Sequence, residues 1–138
     1  MFYQNKQLYY ECRLVSLWNA CRYYGIKKIP VMGSKRYYKI CKKARGINGA
    51  VIIIKDEVER LLLKYNKGSR SLKWVKSHLP VELGIVCHRG YHSVLCIKVK
   101  KNKLCLTNYS IGKLCWIDWK SLKKKMRDDP SQIVKYNK

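Results

Sequence analysis

Acidic residues are scarce in this chain. Its 138 residues carry 8 Asp plus Glu against 31 Lys plus Arg, a formal net charge of +23. Long apolar runs are missing too. Runs such as Val51–Ile54 and Leu61–Leu63 fall far short of the roughly 18 residues that span a bilayer. No transmembrane segment is therefore expected. The first residues, among them Tyr3, Gln4, Asn5 and Lys6, lack the apolar stretch of a secretory signal, which suggests a cytoplasmic protein. Proline is limited to three residues and no low-complexity linker interrupts the chain. There is no room for two ordinary domains. Hydrophobic residues make up 47%, which rules out a disordered basic tail.

Seven cysteines are present, at 12, 21, 41, 87, 96, 105 and 115. Their number is odd and no C-x-x-C pair occurs, so reduced thiols are favoured over a disulfide framework. Most sit among apolar neighbours, where Cys acts as a small hydrophobe. Cys87, His88, His92 and Cys96 form the one local group with metal-ligand types. Two of them are adjacent, an awkward geometry for a tetrahedral ion, and no metal is expected.

Helical periodicity fills the first half. Leu14, Leu17, Trp18, Cys21 and Tyr24 form a buried stripe over Cys12–Tyr24, and Gly25 suits its left-handed stop. Further helices are predicted over Ser34–Ala44, Ile53–Tyr65 and Ser71–His78. The period then changes. Leu83–Cys87, His92–Val99, Leu104–Tyr109 and Leu114–Asp118 read as strands. A helix over Lys120–Met126 and a closing strand over Gln132–Tyr136 end the chain. The prediction is one α+β domain over 1–138, with a helical half of about 1–79 and an antiparallel sheet half of about 80–138. The paired tyrosines 9–10, 23–24 and 37–38 are read as one ring packed and one at the surface.

Two places carry chemistry. Cys12 opens the first helix, where free N–H groups and the helix dipole stabilise a thiolate. A hairpin turn centred near Lys100 would set His92 opposite Asn108 on one face. The Asn side chain would then fix the imidazole, leaving its other nitrogen to take a thiol proton. Nucleophile, base and orienter are the parts of a triad.

These residues resemble the papain-like cysteine peptidase superfamily, above all the small double-glycine leader peptidases. The resemblance lies in Gln7, Cys12 and Tyr23-Tyr24-Gly25, then Gly90-Tyr91-His92-Ser93-Val94 and Leu106-Thr107-Asn108. Arg45-Gly46-Ile47-Asn48-Gly49, Leu79-Pro80-Val81, Trp116 and Trp119 fit the same pattern. The likeness implies a papain-like fold and a peptide or protein substrate. It implies Cys12 as nucleophile, His92 as base and then acid, and Asn108 as orienter. Gln7 would serve the oxyanion with the Cys12 N–H. Such chemistry needs no cofactor. The chain departs from the family at Arg13, where Gly usually follows the nucleophile, and at Asn108, where leader peptidases favour Asp. Gln7 also stands closer to Cys12 than the family spacing, and Gln4 farther.

The charge supplies a second reading. A catalytically weak papain-like domain of this size and Lys-rich composition would serve as a basic structural protein contacting nucleic acid. A virus or phage particle is one such setting.

Overall fold

The computed structural model describes residues 2, 11–43, 47–61, 63–87, 90–110, 112–126 and 133–138. The helices are α1 (Glu11–Tyr23), α2 (Lys35–Lys43), α3 (Ile47–Arg60), α4 (Leu72–Ser77) and α5 (Trp119–Lys125). The strands are β1 (Lys64–Lys67), β2 (Val81–Cys87), β3 (Gly90–Lys100), β4 (Lys103–Ser110), β5 (Lys113–Asp118) and β6 (Ile133–Asn137). They form one antiparallel sheet in the order β1-β6-β2-β3-β4-β5. The α+β expectation is met. No described helix is long and apolar enough to cross a membrane.

α1 is buried nearly all round. Leu14, Val15, Leu17, Trp18, Ala20 and Cys21 lose all contact with water. Ser16 and Asn19 are equally buried, so their polar groups need partners. They find them on the sheet: Ser16 Oγ meets Ser93 Oγ at 3.0 Å, and Asn19 Nδ2 donates to Thr107 Oγ1 at 3.0 Å. On the helical side, Trp18 Nε1 donates to Glu57 Oε2 at 3.1 Å. Arg60 holds the same carboxylate at 2.8 Å. α2 starts from Ser34, whose hydroxyl accepts the Tyr37 N–H, and delivers Tyr37 against Trp18. Tyr37 is buried and Tyr38 exposed, in keeping with the reading of that pair.

The sheet separates two cores. One joins α1, α2 and α3 to Leu95, Val134 and Tyr136. The other joins Val75 and Leu122, from α4 and α5, to Val81, Leu83, Ile85, Val94, Cys96, Leu104 and Leu106. β3 therefore contributes alternate residues to each, as a central strand covered on both faces must. Lysines at Lys64 and Lys67 on β1, and at Lys113 on β5, discourage further pairing at the two edges.

Two expectations are corrected. The helix predicted to reach Tyr65 ends at Arg60, and β1 follows it within the nominally helical half. Tertiary pairing decides this: Tyr65 lies opposite Tyr136 in the ladder with β6. The β3–β4 turn is centred on Lys101 and Asn102, with Lys101 at a left-handed φ of 54°, and not on Lys100.

Gly68 anchors the sheet edge. Its N–H donates to Ile133 O at 2.7 Å, and a Cβ there would overlap the Trp74 ring and stand 2.7 Å from Ile133 Cγ2. Gly68→Ala is expected to cost roughly 1–3 kcal/mol by overpacking. Urea unfolding would register this; an unchanged midpoint would mean that Trp74 moves freely.

Candidate active site

Three elements meet where the triad was sought: the start of α1, the start of β3 and the end of β4. The Cys12 thiol lies at the main chain of Ser93, the residue after His92. The amides of Ser93 and Arg13 face its sulfur and pull its pKa down. Burial and the negative charge of Glu82 push the other way, and the net effect is a raised pKa. In the resting protein Cys12 is therefore a thiol, half-buried. Cys21 and Cys96 are more extreme, pushed up to about 12 chiefly by burial, and fit the role of packed hydrophobes.

His92 and Asn108 touch, through an atom other than the one anticipated. His92 Nε2 lies 2.7 Å from the main-chain oxygen of Asn108. A carbonyl only accepts, so Nε2 carries the proton and Nδ1 of the neutral ring is the free base. The geometry comes from a local break in β4. Asn108 adopts a left-handed φ of 59°, a region Asn tolerates better than most residues. The β4–β5 ladder is irregular between Leu106 and Ser110. The Asn108 carbonyl is thus turned to the ring.

The anticipated direct pairing of His92 with Asn108 is corrected. Beyond the turn, Lys98 pairs with Cys105 but Cys96 pairs with Leu106, so Ile97 is a bulge. The extra residue restores an even register, which keeps 92 and 108 on one face as diagonal neighbours. His92 lies directly opposite Ile85 of β2. Its ring accordingly leaves the strand on the Ile85 side, whereas Ser93 faces α1. No hydrogen bond joins Cys12 to His92 among the described residues. Gln7, and with it Gln4, lies outside the described residues.

Residues that sequence reasoning passed over complete the site. Glu82 is buried beneath the start of α1. Its Oε1 accepts from Tyr136 Oη at 2.9 Å and its Oε2 lies 3.5 Å from Arg13 Nε. Burial raises its pKa, against the lowering pull of Arg13 and of hydrogen bonds from Tyr136 and Ser93. An acid inside the apolar run Val81–Ile85, in a chain with so few acids, was the signal. Arg13 thereby has a role: it occupies the position after Cys12 because Glu82 waits below it. Val86 and Tyr91, opposite each other on β2 and β3, form an exposed apolar pair on the same face as Ser93. For a metal, no group of three or more His, Cys, Asp or Glu occurs among the described residues. His88 and the Cys87 side chain are outside them.

The chain matches no family model and no curated protein sequence.

Two outcomes follow. Because the main-chain oxygen holds the ring, Asn108→Gly should keep the Nε2–H tautomer in ¹⁵N spectra of the imidazole. Asn108→Val, which disfavours positive φ, should lose it. Equal loss in both would assign the ring to the Asn side chain. Glu82→Gln preserves shape and deletes the charge that raises the Cys12 thiol. The pH midpoint for Cys12 alkylation by iodoacetamide should then move down; a fixed or upward-moving midpoint would exclude Glu82 as a control on the thiol.

Proposed function

We propose that the protein is a papain-like cysteine peptidase that cleaves peptide bonds through Cys12, His92 and Asn108. The observation that supports the reading is that Cys12 and the His92–Asn108 pair meet consecutive residues at one end of β3. The Cys12 sulfur meets the main chain of Ser93, and the adjacent His92 is tied to Asn108 with Nδ1 left as the base. In the resting structure the ring leaves β3 on the face opposite Ser93, so catalysis requires the start of β3 to turn His92 toward the sulfur. Catalytic hydrogen bonds commonly tighten only with substrate bound.

The reaction then runs in two halves. His92 Nδ1 takes the thiol proton and the Cys12 sulfur attacks the carbonyl carbon of the scissile bond. The oxyanion is held by the Cys12 N–H at the helix start and by Gln7. Collapse breaks the C–N bond, and the leaving amine takes the proton from His92. Water, deprotonated by the same ring, hydrolyses the thioester and restores the thiol. Arg13, held by Glu82, fixes the first turn of α1 under the nucleophile. Val86 and Tyr91 offer an apolar surface beside the sulfur for an extended peptide.

A thiol-directed peptide probe such as an acyloxymethyl ketone should label Cys12 in preference to the other cysteines. Cys12→Ala should abolish labelling, and His92→Ala should slow it by about 10²-fold or more, the usual weight of a general base. Labelling of Cys12 at the same rate in wild type and His92→Ala would remove the peptidase reading.

A further inference from the structure

The sheet face that carries Ser93 and Cys105 is covered by α1 over the start of β3 and the Thr107 end of β4. Its far corner is different. Lys98 of β3, Cys105 of β4 and Trp116 of β5 stand directly opposite one another in consecutive ladders. Lys100, Lys103 and Asp118 form the next row. Directly opposed residues point to the same face, and so do residues two apart on a strand. The other face is independently accounted for, since Val99, Leu104 and Ile117 belong to the core beneath α4 and α5.

This corner is a flat, basic, aromatic surface. Trp116 is 44% exposed and Leu114, on its side of β5, is 42% exposed. Lys98, Lys100 and Lys103 are all exposed, and no ion pair among the described residues engages them. Asp118, opposite Lys103, forms no ion pair with them, its Oδ2 accepting the Lys120 and Ser121 amides as the cap of α5, and its single negative charge leaves the three lysines in excess. Cys105, between Lys98 and Trp116, is small and buried, so it leaves the floor between them low. Three lysines thus flank the indole at main-chain separations of roughly 8–12 Å, set by strand spacing and rise and within reach of their long side chains.

We propose that this β3–β4–β5 corner is a docking surface for single-stranded nucleic acid. A base stacks on Trp116 while Lys98, Lys100 and Lys103 take flanking phosphates. Unpaired strands fit because their base faces are free to stack on an indole, whereas a duplex keeps them covered. The net charge of +23 draws any polyanion toward the protein, and the indole makes the choice among them. The surface is separate from the thiol site. It lies at the turn end of β3, and Cys12 meets the opposite end of that strand.

The test uses the full chain and fluorescein-labelled oligo(dT), followed by anisotropy across a salt series. Wild type should bind more tightly than Trp116→Ala by about 5–100-fold, the worth of one stacked base, and Trp116→Phe should retain most of the affinity. Lys98→Gln/Lys100→Gln/Lys103→Gln should lower the log–log salt slope by about 2, because three phosphates are no longer neutralised by the protein. Lys123→Gln/Lys124→Gln/Lys125→Gln on α5 should leave that slope in place. Cys12 labelling should be unaffected by Trp116→Ala, which separates failure here from failure of the peptidase reading. Absence of binding, affinity indifferent to Trp116, or equal Trp116-dependent binding to phosphatidylserine vesicles would each overturn the proposal.

Discussion

The rest of the structure depends on the burial of α1. A helix with apolar residues on almost every side has no face left for water, so sheet and helices must close around it from both directions. Closure carries Ser16 and Asn19 into the interior, where unpaired polar groups are costly. Ser93 and Thr107 are the partners that make it tolerable. Each of those bonds ties α1 to a particular rung of the sheet. Glu82, Tyr136 and Arg13 add a third tie near the helix start. Sliding α1 along the sheet would break all three at once. That is why the Cys12 sulfur meets the Ser93 amide rather than another part of β3.

The hairpin supplies the complementary constraint. An irregularity at Ile97 and a left-handed residue at Asn108 each interrupt ideal pairing. Together they put His92 and Asn108 on one face and turn a carbonyl out of the β4–β5 ladder toward the imidazole. Local departures of this kind concentrate where geometry matters for chemistry. Here they select the protonated nitrogen of His92 and leave the other available.

Much of the fold was legible in the sequence. The stripe Leu14, Leu17, Trp18 and Cys21 announced α1, and the helices predicted from Ser34 and from Ser71 anticipated α2 and α4. Alternation through Val94–Val99 announced a strand covered on both faces. These signals are local, and nearest-neighbour physics writes them directly into the chain. β1 was not legible, because Lys64–Lys67 has no apolar alternation and becomes a strand only by lying against β6. The register of the hairpin was hidden for a related reason. A single added residue at Ile97 alters pairing without altering composition. Glu82 announced itself only as an acid out of place among apolar neighbours.

The sequence by itself determined the excess of positive charge, the buried first helix opening on Cys12, and the succession of strands that follows. Residue type and spacing suffice for these, since each rests on contacts within a few residues or on simple counting. Only the tertiary structure decided which charges are paired, with Glu82 and Glu57 each holding one arginine. It alone decided that His92 is held by the Asn108 main chain, and that Trp116 and three lysines share one uncovered corner. Those outcomes depend on register, bulges and the reach of α1 across the sheet. They join residues distant in the chain, so no local pattern encodes them.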